Sequence, residues 1–256
     1  TGTDFEIYVI EVNPRASRTV PFVSKATGHS WARIAAKVMI QESLAALGVD
    51  NEVTPTHTSV KESVFPFSKF PGVDVILGPE MRSTGEVMGI DADFPIAFAK
   101  SQMAAGTILP TKGKVFISVR DMDKKSIVPV AKKLLEMGFT VVTTGGTRAF
   151  LEQHGVATER LKKISEGRPN CIDLIKNKEL ALIINTPTRK GLNTDEGRLR
   201  STAVRFSVPM VTTCTLAAAA VQAIEALRAG TWGVRAIQDY FTLEGEPAAA
   251  GSEVVR

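Results

Sequence analysis

Lys114–Thr147 reads KVFISVRDMDKKSIVPVAKKLLEMGFTVVTTGGT, and its alternation of two hydrophobic patterns decides the fold. KVFISV is a short apolar run, as expected of a strand buried on both faces. Asp123 is placed to cap a helix whose Ile127, Val130, Ala131, Leu134 and Leu135 recur at helical spacing. Gly138 is placed to end that helix, and TVVTT follows as a second strand. The stretch is therefore one βα unit leading into a glycine-bearing turn, TTGGT, where the second strand passes into a helix.

The same alternation continues downstream. RAFLEQHG reads as a helix, RLKKI as a weaker strand, CIDLIKNKE as a short helix and LALIINT as a strongly apolar strand. DEGRLRSTAVRFS is a helix, PMVTTC a strand and LAAAAVQAIEALRAG a long Ala-rich helix. Five strands alternating with helices predict an α/β fold, a parallel sheet covered by helices on both sides. Ligands in such sheets bind beyond the carboxyl ends of the strands. The tail after Trp232 adds no clear unit, and EGEPAAAGSEVVR has the composition of a loosely packed end.

Upstream the pattern differs. Ser30 can cap a helix carrying Trp31, Ile34, Ala35, Val38, Leu44 and Leu47, with Gly48 placed to end it. Residues 50–90 read as short strands and loops, and Ala92–Gly106 as a helix whose start is weakened by Pro95. TILPTKG, Thr107–Gly113, has linker composition. The expected domains are thus residues 1–110 and 111–256.

The 256 residues give room for one or two domains, and 44% apolar content is globular. The net charge of +4 is spread along the chain, with no basic run interleaved with aromatics, so nucleic acid is not an expected partner. Cys171 and Cys214 lie far apart without CxxC spacing, which fits a reducing cytoplasm better than a disulfide framework. His29, His57 and His154 form no ligand cluster in sequence. No apolar run approaches the ~20 residues of a membrane helix, and no signal peptide is visible.

Two stretches carry chemistry. At TTGGT, two glycines let backbone N–H groups approach a ligand, Thr144 and Thr147 add hydroxyls, and the helix start adds partial positive charge. Two lysines lie at neighbouring strand ends, Lys124 after the first and Lys163 in the third, so the set could hold a phosphate; an ordinary capped βα turn would have the same spacing. Near the start, Phe5, Ile7, Val9, Glu11 and Asn13 share one face of an expected strand, with Arg15 just beyond. Two oxygen ligands and a guanidinium suit a hard cation bridged to phosphate. A polar strand end reaching solvent is the plain alternative.

Family resemblance adds to this reading. EVNPRASRTVPFVSKATG resembles the metal-binding strand of an ATP-grasp domain, more specifically the second such half of the carbamoyl-phosphate synthetase large-subunit family, and Ser59–Gly89 resembles the same family over a longer run. ISVRDMDK, TTGGT, KKISEGRPN and LIINTP resemble the methylglyoxal-synthase-like allosteric domain that ends those subunits. The resemblance covers nearly the whole chain. It implies that Glu11 and Asn13 bind Mg²⁺ or Mn²⁺ with ATP, and that Arg15 lines the site phosphorylating carbamate. It implies a nucleotide effector, UMP or IMP, whose phosphate is held by Lys124, Thr144, Thr147 and Lys163, with Asn185 near ribose or base. Pro187 stands where the family has a further threonine. Glu62 and Thr212 match an ornithine site in which Met210 replaces a tyrosine. The implied partners are the remainder of the large subunit, a glutamine amidotransferase small subunit, and further copies through the allosteric domain.

The chain begins within a strand pattern, at Thr1, so it reads as the C-terminal piece of a longer polypeptide that alone does not turn over ATP. A methylglyoxal synthase is the rival lyase reading; Asp173 is available, but no histidine follows it. The inosine-monophosphate cyclohydrolase family shares similar turns but not the segment before Lys114. A non-catalytic ligand-binding and oligomerisation module is the remaining alternative.

Overall fold

The computed structural model describes residues 8–12, 14–69, 75–77, 81–188, 191, 193–230 and 232–241. Contacts divide the chain into two compact units, Thr1–Pro55 and Thr56–Arg256. The segment 56–110, grouped by sequence with the first domain, lies in the second unit.

In the first unit, residues 8–12 carry no strand, so the strand expected to display Glu11 is absent from the described part of it. Two helices follow, α1 (Thr19–Thr27), which the sequence reading missed, and α2 (Trp31–Met39). α1 ends at Gly28 in the left-handed region, φ 73°. α2 is shorter than expected. Glu42 N–H donates to Lys37 O at 3.1 Å and Gln41 N–H to Val38 O at 3.0 Å, with Gln41 at φ 76°. This is the Schellman ending, built on a glutamine where glycine is usual. Leu44 and Leu47 therefore fall in a separate turn, closed at Gly48. Ser30 occupies the N-cap position of α2, but its side chain does not cap; its neighbour Ser24 instead accepts from Trp31 N–H at 3.2 Å.

The second unit opens with β1 (Thr58–Val64) and β2 (Gly85–Asp91), an antiparallel pair in register from Thr58↔Asp91 to Val64↔Gly85. α3 (Phe94–Ala104) follows. Asp93 caps it by accepting from Ile96 N–H, and Pro95 sits in the first turn, where no N–H is needed. α3 packs so closely on β2 that a Cβ on Gly89 would lie 1.9 Å from Ala97 O.

Then comes the alternating core: β3 (Lys114–Ser118), α4 (Lys124–Glu136), β4 (Thr140–Thr143), α5 (Gly145–Gln153), β5 (Glu159–Arg160), α6 (Cys171–Lys176), β6 (Leu180–Asn185), α7 (Asp195–Arg205), β7 (Met210–Val211) and α8 (Cys214–Ala229). The five strands pair in parallel in the order β5-β4-β3-β6-β7. Alternation sorts their side chains. Val115, Ile117, Val141, Leu182 and Ile184 join Ile127, Leu134, Leu151, Ile224 and Phe98 in one core. Phe116, Val142 and Ile183 join Cys171, Ile175, Leu199 and Ala203 in the other. α3, α4, α5 and α8 thus contribute to one face and α6 and α7 to the opposite one, the expected doubly covered parallel sheet.

Residues 232–241, where the sequence offers no clear unit, carry a short turn, while EGEPAAAGSEVVR lies outside the described residues. Residues Ile237–Tyr240 form a short 3₁₀ turn, Tyr240 O–H donates to Ile90 O at 3.0 Å, and Arg235 stacks on the Tyr240 ring at 3.6 Å. Residues 242–256 lie outside the described set. Among the described residues, no helix is long and apolar enough to cross a membrane.

Candidate functional site

The strand order places a topological switch between β3 and β6. From β3 the chain moves outward to β4 and β5, then returns to the other side of β3 as β6. Adjacent strands there send their following loops apart, which opens a crevice at their carboxyl ends. Three hydrogen bonds close the floor of this edge. Asn185 Nδ2, at the end of β6, donates to Ser118 O at 2.9 Å. Arg120 N–H donates to Thr186 Oγ1 at 3.0 Å. Val119 N–H donates to Thr147 Oγ1 at 3.4 Å.

Above this floor stands the start of α5. Thr144 is its N-cap residue, extended at φ −86° and ψ 160°, and its side chain does not cap the helix. The hydroxyl is left for another partner, and the first N–H groups of α5 have no intrahelical acceptor. Lys124 reaches the same turn from the start of α4: a Cβ on Gly146 would lie 3.6 Å from its Nζ. That is an ordinary van der Waals separation, so the ammonium stands directly against the first turn of α5. Thr144, Gly146 and Lys124, expected together from sequence, are therefore adjacent.

The other expected members differ in status. Thr147 is buried and its hydroxyl is shared with the Val119 backbone, so it ties α5 to the end of β3. Lys163 is exposed on the loop after β5, and no described contact joins it to Lys124 or Thr144. Asn185 is 2% exposed, and its Oδ1 is buried with no hydrogen-bond partner among the described residues. An unmatched buried acceptor is costly, about 1–3 kcal/mol, which marks this strand end as unusual.

The loop Arg120–Lys124 contains two ion pairs that the sequence reading did not use. Arg120 Nε donates to Asp123 Oδ2 at 2.5 Å and Nη2 to Oδ1 at 3.4 Å. Asp123 was expected to cap α4; it stands at the N-cap, but its side chain makes no cap bond. The guanidinium fork explains this, and with Thr186 it holds the Asp123 carboxyl below its usual range. The second pair joins Lys124 Nζ to Asp121 Oδ1 at 2.7 Å. Both pairs are three residues apart in RDMDK, so the spacing was a usable signal.

Neither cysteine is set up as a nucleophile. Burial pushes the Cys171 thiol up to about 12, and burial followed by the charge of Asp123 raises that of Cys214. Asp173 is likewise committed. It accepts from Asn170 N–H at 3.0 Å and from Arg168 Nη2 at 2.5 Å, the Asn170 bond being half of the capping box of α6. Arg168 first, then the Asn170 N–H, holds this carboxyl below its usual range, the wrong direction for a base near neutral pH.

Of the remaining expected residues, Glu11 and Arg15 are exposed in the first unit, and Asn13 lies outside the described residues. Among the described residues no cluster of three His, Cys, Asp or Glu could hold a metal ion. Glu62, on β1, accepts from Gln102 Nε2 at 3.0 Å, and burial raises its carboxyl above the usual value. Thr212 is half-buried just after β7; no described contact joins the two.

Comparison with known proteins bears on this arrangement. Residues 126–212 match the family described as MGS-like domain, and residues 2–47 match the carbamoyl-phosphate synthase L chain, ATP binding domain. The chain is 53% identical over 237 residues to a carbamoyl phosphate synthase large chain of Rhodopirellula baltica, covering 93% of this chain and 22% of that one. It is 52% identical over 238 residues to that of Archaeoglobus fulgidus, with 93% and 22% covered. Against that of Mesorhizobium japonicum it is 50% identical over 243 residues, with 93% and 21% covered. Among solved structures, a methylglyoxal synthase from Elizabethkingia anophelis matches with TM-score 0.37 and 18% identity, covering 44% of this chain and 79% of that one. The chain spans about a fifth of the length of the curated relatives it matches. With half its residues identical over 93% of its length, and both family matches falling in their expected halves, the chain belongs to the carbamoyl phosphate synthase large-chain family, as its C-terminal region.

Proposed function

We propose that this chain is the regulatory end of a glutamine-hydrolysing carbamoyl phosphate synthase, a ligase that makes carbamoyl phosphate from bicarbonate, glutamine-derived ammonia and ATP. Residues 111–256 form the effector domain. Residues 1–110 form the end of the second ATP-grasp half and its connection. The effector is a ribonucleoside 5′-monophosphate, UMP or IMP, bound at the switch point between β3 and β6. Its phosphate is held by Lys124, Thr144, the amides at the start of α5, and Lys163 swinging in from the loop after β5. Thr147 positions that helix start, and Asn185 lies on the ribose or base side.

The observation that carries this reading is the Lys124 ammonium over Gly146, beside an uncapped Thr144 hydroxyl. A helix start contributes ~0.3–1 kcal/mol to a bound anion, and a charged hydrogen bond about 1.5–3. The lysine is therefore the stronger contributor. Coupling between allosteric sites is typically ~1–3 kcal/mol, so the effector shifts apparent ATP affinity severalfold.

In the longer enzyme, Glu11 and Asn13 hold Mg²⁺ or Mn²⁺ with ATP, and Arg15 contacts the reacting carbamate. The family match over residues 2–47 supports this assignment. Glu11 offers a carboxylate and Asn13 an amide oxygen, the donor type both ions prefer, and the ATP phosphates complete the shell. The exposed Tyr8, Ile10, Val12, Met39 and Ile40 of the first unit suit a surface covered by the rest of the large subunit. A glutaminase small subunit, cytoplasmic location and self-association through the effector domain complete the proposal. Glu62 and Thr212 are the candidates for an ornithine site.

Calorimetric titration with UMP and IMP tests the effector site. Lys124→Ala is expected to weaken binding about tenfold or more, and Lys163→Ala by a smaller factor. Unchanged affinity in both variants would place the nucleotide elsewhere.

A further inference from the structure

The two acids of RDMDK are not equivalent. Asp123 is locked by the Arg120 fork and by Thr186, and its side chain is 16% exposed. Asp121 is 94% exposed and touches the protein through Lys124 at 2.7 Å. Lys124 itself is only 17% exposed and already lies over Gly146. One end of this ion pair thus lies against the turn that opens α5, while the other is a short side chain exposed to solvent.

We propose that Asp121 is a built-in competitor for the effector phosphate: its carboxylate occupies the Lys124 ammonium in the resting site and must leave when the phosphate binds. This rests on the effector-site reading above. The ammonium has three donors, and α5 supplies none of the acceptors they need, since a helix start presents only N–H groups. With Asp123 held by Arg120, the acceptor in reach is Asp121. Its side chain loses nothing by returning to water. An exposed pair three residues apart is weak, so a phosphate that also meets the α5 amides displaces it. Asp121 therefore lowers affinity for every anion held by Lys124 by one common factor, and it keeps the lysine neutralised and oriented between ligands.

The test compares the unmodified chain with Asp121→Asn, Asp121→Ala, Lys124→Ala and the double variant Asp121→Asn/Lys124→Ala. Each is titrated calorimetrically with UMP, IMP and inorganic phosphate at fixed ionic strength. Removing the carboxylate is expected to tighten all three ligands about two- to fivefold, equally in the Asn and Ala variants. The gain should vanish when Lys124 is absent. If Lys124→Ala abolishes binding but the Asp121 variants bind no more tightly, the competitor role is wrong and the effector site stands. If Lys124→Ala leaves affinity unchanged, the effector site is wrong, and the Asp121 pair is an ordinary surface ion pair.

Discussion

Single residues divide by what their charges face. Asp121 and Asp173 both hold their protons weakly, for different reasons: the first meets a lysine in solvent, the second an arginine and a backbone N–H at the start of α6. Only the second is tied to the fold. Because its folded value lies below the ordinary one, Asp173 contributes stability above about pH 4. That contribution fades as pH falls through the depressed folded value. Asp173→Asn is therefore expected to lower the urea midpoint near neutral pH and to converge with the unmodified chain in acid, once the pH has fallen through the depressed folded value. A difference that persists unchanged into acid would mean that the carboxylate charge is not what caps α6. Part of the candidate site's arrangement was legible in sequence. TTGGT and Lys124 mark themselves by spacing, and Lys124 and Gly146 do meet. The sequence did not disclose that Thr147 spends its hydroxyl on Val119, nor that Arg120 takes the carboxylate expected to cap α4. Side-chain competition of this kind leaves no periodic signal.

Elements were legible where hydrophobic period and glycine punctuation agree. The strands and helices read from Lys114 onward are present except that RLKKI shares only Arg160 with the exposed edge strand β5; elsewhere a sheet buried on both faces gives uninterrupted apolar runs between amphipathic helices. The first 55 residues were read less well. α2 stops at a left-handed glutamine, and no residue type announces that ending. α1 was overlooked because its nine residues follow the stretch read as a strand. At the junction of β2 and α3, Gly89 has the role of a spacer. An alanine there would bring a Cβ to 1.9 Å from Ala97 O and 2.5 Å from Ser101 N, both backbone atoms. Neither can move without shifting the helix, so Gly89→Ala is expected to cost about 1–3 kcal/mol or more. Thermal unfolding would record this as a clearly lowered midpoint; an unchanged midpoint would mean that α3 lies further from β2.

At the scale of the molecule, the chain holds two compact units and two family matches, over residues 2–47 and 126–212. The second unit contains both apolar cores around the five-stranded sheet. Among the described residues of the first unit, Ala26 is the one buried hydrophobic side chain. A globular piece normally buries far more. Under the function proposed above, the rest of the large subunit completes the first unit, and the effector domain lies within the second. The central claim is that the effector domain grips a phosphate where β3 and β6 part. A crystal structure of this chain with UMP tests it most directly. The account predicts the phosphate within about 3 Å of Lys124 Nζ and the amides that open α5, with Asp121 swung away. A nucleotide bound elsewhere, with Lys124 still paired to Asp121 over an empty turn, would contradict it.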